Sequence, residues 1–320
     1  MAGQRHRYGP RPLPSIVEAV GRTPLVRLKR VAAHVGPGVS VWAKLEWFNP
    51  GGSVKDRPAR QMLLDAMADG RIRPGTRVID STSGNTGVAY AWLTAALGLE
   101  CVLVMPENVS HGRKAVTRAL GAELVFSDPM EGSDGAIRLV REMVEAHPDR
   151  YFYPDQYSNP SNPRGHELTT APEILAQTKG EITHFVAGLG TTGTVMGTGR
   201  GLKHAKPSVK VVAVEPDAPF HGLEGLKHIP SSIRPAIWQP DGLVDEIVPV
   251  ATEPAWDLSE RLIREEGLAV GHSSGANALV AINIAESLVE QGREGCVVTV
   301  FPDRADRYFE AGRWDPLHTW

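Results

Sequence analysis

The sequence predicts an α/β protein of two lobes, each a mostly parallel twisted sheet with helices on both faces. Short β-branched runs alternate with longer amphipathic stretches from about residue 40 onward, the order that parallel strands with crossover helices require. The length of 320 residues suits one large or two ordinary domains at roughly 150 residues apiece. A Pro- and Asn-rich stretch, YFYPDQYSNPSNP at 151–163, interrupts the alternation near its middle and reads as a crossing between lobes.

Taken in order, VSVWAKLE at 39–46 has the composition of a strand. A helix follows from about Asp56, with Pro58 in its first turn, Leu63, Leu64 and Met67 on one face and Gly70 as its stop. TRVID at 76–80 is a strand feeding the loop STSGNTG, and VAYAWLTAALG at 88–98 is so uniformly apolar that, as a helix, it must be buried. ECVLVMP, a helix near 111–120, AELVF and a helix near 134–147 continue the alternation. After the crossing come the strands ITHFVAG at 182–188, VKVVAVE at 209–215 and CVVTVF at 296–301, separated by helical segments. In such folds ligands sit at the carboxyl ends of strands, which directs attention to the glycine-rich loops.

Composition narrows the function. With 42% hydrophobic and 22% charged residues, 33 Gly and 25 Pro, the chain is globular and loop-rich rather than disordered, collagenous or coiled-coil. The formal charge of −3, from 34 basic and 37 acidic residues, gives no global attraction for nucleic acid. The two cysteines, Cys101 and Cys296, lie far apart in apolar strand-like runs, as core residues in a reducing compartment. The N-terminal MAGQRHRYGPRPLP is basic but lacks an apolar core, and there is no run of about 18 apolar residues to enter a membrane. The expectation is a cytoplasmic protein without a membrane or nucleic-acid partner.

Three loops offer chemistry. GLGTTG at 188–193 fits G-x-G-x-x-G after a strand and before a helix, and Glu215 ends the next strand where a ribose partner would stand. An NAD(P)-dependent oxidoreductase is therefore one reading. The hydroxyls of Thr191, Thr192 and Thr194 crowd the turn, however, and with backbone amides they suit a terminal phosphate monoester. GHSSG at 271–275 matches the G-x-S-x-G nucleophile elbow, with Asp303 and His318 following in hydrolase order, but the GLAV before it makes a poor strand. NPGGSVKDRPA at 49–59 sets Lys55 where a Gly-rich loop becomes a helix, and there the helix field and burial favour a neutral, nucleophilic amine. STSGNTG adds Thr82, Ser83, Asn85 and Thr86 at a strand-to-helix transition, a cluster able to grip a carboxylate.

At these residues the chain resembles the cysteine synthase and cystathionine β-synthase family of pyridoxal-phosphate enzymes, of fold type II. VGRTPLVRL, KLEWFNPGGSVKDRPA, STSGNTG, QYSNPSNP, GHELTTAPEI, AGLGTTGTVMGTGR and GHSSGA run in the family's order across about residues 15–310. The look is nearest to the bacterial branch typed as cysteine synthase B. The resemblance implies pyridoxal 5'-phosphate as cofactor and Lys55 as the Schiff-base lysine and proton carrier. It implies that Gly190, Thr191, Thr192, Gly193 and Thr194 cradle the cofactor phosphate, that Ser273 meets the pyridine nitrogen and that Asn85 meets the ring hydroxyl. Thr82, Ser83, Gly84, Thr86 and Gln156 would bind the substrate carboxylate, and no metal is implied. The implied lobes are 45–155, smaller and substrate-binding, and 1–44 with 156–320, larger and holding the phosphate.

The implied reaction is β-replacement on O-acetylserine or O-phosphoserine by a sulfur nucleophile, giving L-cysteine through an α-aminoacrylate, in a homodimer. Cystathionine β-synthase-type condensation of serine with homocysteine and a catalytically silent binding homologue are the alternatives within the family. Arg22, Ala171 and Thr192 stand where the family usually has Asn, Gly and Gly, and PDRADRYFEAGRW replaces a Ser/Gly-rich segment. The loop FHGLEGLKHIPSSIRP at 220–235 is unusually basic, so that Lys227, with Arg234, is a candidate for a second anion at the site mouth.

Overall fold

The computed structural model describes residues 12–82 and 84–308. In chain order the elements are β1 (Leu25–Arg27), β2 (Val39–Leu45), α1 (Asp56–Ala68), β3 (Arg77–Ser81), α2 (Asn85–Leu97), β4 (Glu100–Pro106), α3 (His111–Ala119), β5 (Glu123–Ser127), α4 (Gly132–Ala146) and β6 (Tyr151–Phe152). There follow α5 (Ser161–Leu168), α6 (Thr170–Gln177), β7 (His184–Gly188), α7 (Gly193–Ala205), β8 (Lys210–Pro216), β9 (Glu246–Val250), α8 (Thr252–Glu266), α9 (His272–Glu290) and β10 (Gly295–Phe301). Among the described residues the strands form a six-stranded sheet, β1-β2-β10-β7-β8-β9, and a four-stranded sheet, β5-β4-β3-β6. Every pairing is parallel except that of β1 with β2.

Both sheets are covered on both faces, and the period of two along each strand shows it. In the larger sheet Val186, Val212, Val214 and Val297 pack with α8 and α9. Their neighbours Phe185, Val211, Ala213 and Val298 pack on the opposite side with α6 and α7. In the smaller sheet Val78 and Leu103 meet α1 and α2, while Ile79, Val102 and Val104 meet α4. Strands buried on both faces read as continuous apolar runs, which is why they stand out in the sequence.

Some boundaries differ from expectation. Helix α2 begins at Asn85 rather than 88, because Gly84 takes a non-helical backbone at the N-cap and releases the next residues into the first turn. In keeping with its poor strand composition, the GLAV segment forms no strand, only an isolated bridge from Val270 to Arg304. The alternation does not signal β1 and β9. One has three residues, too few for a period; the other carries Pro249 and lies at a sheet edge, where a missing N–H is tolerated.

One order change in each sheet positions the site. From β7 the chain winds outward through β8 to β9, while β10 and β2 lie on the other side; from β3 it winds through β4 to β5, while β6 lies opposite. The crevices outside the carboxyl ends of β7 and β10, and of β3 and β6, are the switch points where α/β sheets bind ligands.

The segment between β2 and α1 is held by a buried ion network. The Arg57 guanidinium donates through Nε and Nη2 to Glu46 (2.7 and 2.8 Å) and through Nη1 and Nη2 to Glu173 (both 2.8 Å). Lys44 Nζ lies 2.7 Å from Glu173, and Glu46 also accepts from Thr23 (2.8 Å) and Asn49 (2.9 Å). Two cations thus face two carboxylates with every oxygen of Glu46 and Glu173 occupied, the condition under which buried charge is tolerated. Burial acts to raise the Glu173 carboxyl, but Arg57 and Lys44 outweigh it and hold it at about 2.

A folded-state value below the unfolded one means that stability is present above the ordinary value of 4.5 and is lost as pH falls toward about 2. Urea unfolding between these limits should show that loss. Glu46→Leu, which leaves Arg57 short of one carboxylate, should cost about 3–5 kcal/mol at neutral pH; a cost below about 1 kcal/mol, the scale of an exposed pair, would show that the network holds nothing.

Candidate active site

A cleft of about 620 Å³ lies between the carboxyl ends of the two sheets, with Lys55, Thr82, Asn85, Gln156, Gly190 and Lys227 on its wall. A smaller pocket of about 50 Å³ shares Lys55, Asn85 and Gly190 with it and reaches Thr192, Thr194 and Ser273. The structure thus gathers the loops that the sequence singled out around one amine. Ser83 lies outside the described residues, as does His318.

Lys55 is the N-cap of α1, half-buried and in helical backbone. Its loop is tied to the end of β10 by the Val54 N–H, which donates to the Pro302 carbonyl at 2.8 Å. Desolvation lowers its pKa to about 8 against the opposing pull of Asp303. The neutral amine is therefore far more accessible than that of an ordinary lysine. A methyl group built on Gly190 would lie 3.9 Å from Lys55 Nζ and 2.6 Å from the Gly225 carbonyl, so glycine is needed for this approach.

The loop after β7 runs into the N-terminus of α7, whose free amides favour an anion. Thr191 Oγ1 accepts from Asn162 Nδ2 at 3.1 Å and from the Gly193 N–H at 3.4 Å, which leaves its own proton to donate. Thr192 Oγ1 is buried with no protein partner, and the residue sits in left-handed backbone at φ 73°. Thr194 Oγ1 is 3.3 Å from His166 Nε2, and His166 Nδ1 is 2.9 Å from Thr170 Oγ1. Burial, with Arg57 adding to it, pushes His166 to about 3, so the ring is neutral between its two hydroxyls. An orphaned hydroxyl, a helix N-terminus and an amine close by fit the phosphate and aldehyde of pyridoxal phosphate. Ser273, buried in the first turn of α9, lines the same small pocket.

Across the cleft, Thr82, Gly84, Asn85 and Thr86 line the turn from β3 into α2. Thr86 Oγ1 donates to Gln156 Oε1 at 2.9 Å. That contact fixes the amide so that Gln156 Nε2 remains free to donate to a carboxylate. Asn85 Nδ2 donates to Asp303 at 2.5 Å, and its Oδ1 accepts from Arg307. Lys227 Nζ lies 5.0 Å from the centre of the Tyr157 ring, on the cleft wall, and burial lowers its pKa.

Residues outside the glycine-rich loops complete the site. Asp303, Arg307 and Tyr308, from the segment after β10, hold Asn85 and form a floor; Tyr308 donates to Asp303 at 2.5 Å. Arg113 on α3 pairs with Glu224 across the cleft mouth. The sequence signals the floor only as a segment unlike the family's, and gives no sign of the Arg113–Glu224 pair. Two competing arrangements lack their geometry. Glu215, the would-be ribose partner, accepts from the Ile229 N–H at 3.2 Å, and Asp303 serves Asn85 and Tyr308 rather than a histidine.

The chain is similar in sequence and in fold to known pyridoxal-phosphate enzymes. A family profile described as pyridoxal-phosphate dependent enzyme matches residues 16–303. A cysteine synthase of Aquifex aeolicus is 51% identical over 295 residues, 92% of this chain and 90% of its own. A cysteine synthase of Staphylococcus aureus is 41% identical over 310 residues, covering 93% and 96%. The crystal structure of a cysteine synthase from Entamoeba histolytica superposes with a TM-score of 0.89 at 35% identity, covering 97% of this chain and 91% of that one.

The two features of Thr192 make opposite demands. Thr192→Gly should raise the stability of the cofactor-free protein by about 1 kcal/mol, because glycine is unstrained at positive φ. The same change removes the buried, partnerless hydroxyl, and if that hydroxyl serves a phosphate it should weaken pyridoxal-phosphate binding roughly tenfold, the loss of one hydrogen bond to a charged group. Thermal melts and cofactor titration read the two effects separately; unchanged cofactor affinity would take Thr192 out of the cradle.

Proposed function

The chain belongs to the pyridoxal-phosphate dependent enzyme family, and we propose that it makes L-cysteine by β-replacement. An O-activated L-serine, with O-acetylserine as the reference substrate, loses its leaving group from the β-carbon, and a sulfur nucleophile takes its place. One observation carries this reading: Lys55 Nζ, with its pKa lowered to about 8, lies in one cleft with the hydroxyl-rich loop that opens α7 and with Thr82, Thr86 and Gln156.

In this reading the Gly190–Thr194 loop and the α7 N-terminus bind the cofactor phosphate through hydroxyls and amides. Ser273 Oγ meets the pyridine nitrogen as a neutral partner, and Asn85 meets the ring hydroxyl while Asp303 and Arg307 hold its amide. Pyridoxal phosphate, when bound, supplies the electron sink that makes the substrate α-proton removable. Lys55 Nζ anchors the cofactor and, once displaced by the substrate amine, takes that α-proton and later returns it. The turn at Thr82, Ser83, Gly84 and Thr86, with Gln156 Nε2, holds the substrate carboxylate, so that the α-proton faces Lys55.

Residues 45–155 then act as the smaller, substrate-binding lobe, and 1–44 with 156–320 as the larger, phosphate-holding lobe. The reading includes a homodimer working in the cytoplasm; the two buried, unpaired cysteines support a reducing compartment. No helix among the described residues is long and apolar enough to cross a membrane.

Lys55→Ala should still bind the cofactor phosphate, because the cradle is separate from the amine, while turnover of O-acetylserine with sulfide falls by about 10²–10⁴-fold or more. Near wild-type turnover in this variant would sink the mechanism. Lys227 is proposed to contact a second anion, such as the phosphate of O-phosphoserine. Lys227→Ala should then lower kcat/KM roughly ten- to a hundredfold for O-phosphoserine and hardly at all for O-acetylserine, the scale of one charge-assisted contact. Equal losses on both substrates, or none on either, would remove Lys227 from substrate choice.

A further inference from the structure

Asn162, on α5, does not line the cleft and carries no role of its own in the motif reading, yet it is buried to 1% exposure between two segments that do line it. Its Nδ2 donates at 2.6 Å to the Gln156 carbonyl and at 3.1 Å to Thr191 Oγ1. The amide orientation is not arbitrary, since a backbone carbonyl only accepts and must face the NH₂ group. Both protons of one side chain are therefore spent on two loops from different sheets. One carries Gln156, whose Oε1 is tied to Thr86; the other is the phosphate loop.

The consequences run in both directions. Because Thr191 Oγ1 accepts from Asn162, its own hydroxyl proton points elsewhere, toward the cradle. Because the Gln156 carbonyl is held, its side chain is kept in reach of both Thr86 and the cleft. Asn162 Oδ1 is buried without a partner and lies where a Cβ on Gly193 would come within 1.9 Å of it, so the phosphate loop is moulded against this amide.

Resting on the function proposed above, we infer that Asn162 is a positioning residue that couples the phosphate cradle to the carboxylate site. Ordering of Thr191 by a bound phosphate fixes Asn162, and through it Gln156, so that the two binding events reinforce each other. Such coupling is reciprocal and is typically worth about five- to a hundredfold in affinity.

The test uses the full chain loaded with pyridoxal phosphate. Asn162→Ala should raise the cofactor dissociation constant and the KM for O-acetylserine together, each by about tenfold, while kcat stays within about threefold, since no proton-transferring group is touched. Gly193→Ala keeps the amide but displaces it, at a residue whose backbone any amino acid can adopt. It should reproduce the rise in KM and keeps the question open to measurement if Asn162→Ala folds poorly. A merely structural role would lower the active fraction and leave KM alone. Either constant remaining within twofold of wild type in both variants overturns the inference. If the wild-type chain itself takes up no pyridoxal phosphate or forms no cysteine, the proposed function falls and this inference with it. An active wild type matched by Asn162→Ala removes the inference alone.

Discussion

The loop that presents Lys55 depends on a charge that cannot be left alone. Arg57 is almost fully buried two residues beyond the lysine, and a guanidinium there is tolerable only because Glu46 and Glu173 complete its hydrogen bonds. Glu46 follows β2 in the larger sheet, Arg57 opens α1 against the smaller one, and Glu173 lies on α6. The network is thus a joint between elements that contribute to both sides of the cleft. A joint of apolar side chains could be as stable, but it would not specify one orientation of the turn between residues 46 and 56. Orientation is what an amine needs if it is to stand 3.9 Å from where a Gly190 Cβ would be.

The site repeats one geometric device in both sheets. Parallel strands direct their carboxyl ends, and the helix N-termini that follow, to the same edge, and a change of strand order opens a crevice there. In the smaller sheet the crevice between β3 and β6 holds the turn at Thr82–Thr86 and the loop with Gln156; in the larger sheet that between β7 and β10 holds the Gly190–Thr194 loop and Asp303. Each crevice offers helix amides and hydroxyls to an anion. Setting the two face to face leaves one cleft with an anion-favouring crevice on each side and Lys55 on its wall.

The departures from the family pattern show that tertiary contacts, rather than residue preference, decide the backbone here. Arg22 and Thr192 replace Asn and Gly, and both stand at positive φ, 51° and 73°. Asn and Gly visit this region readily, whereas other residues accept strain. The Arg22 N–H is held by Glu173 at 2.8 Å, so the buried network fixes that turn as well. Ala171 replaces a third small residue, Gly, and the space for it comes from Gly201 on α7, where a Cβ would lie 2.6 Å from the Ala171 methyl.

The sequence by itself determined the fold class, most of the element order and the loops that carry the chemistry. Apolar runs buried on both faces are local signals, as are glycines at strand-to-helix turns and hydroxyls at helix N-termini, and Lys55 and the Gly190–Thr194 loop were readable from them, whereas Gln156 entered only through the family resemblance. The tertiary structure alone decided which distant residues complete these loops. Asp303 and Arg307 reach Asn85 across 218 and 222 positions, and Asn162 reaches Thr191 across 29. A hydrogen bond between side chains on different sheets depends on strand order and on how the sheets face each other, and neither leaves a periodic trace in the chain. The pKa values belong to the same class. The lowered amine of Lys55 and the neutral ring of His166 follow from desolvation, a property of the packed interior and not of any short stretch of sequence.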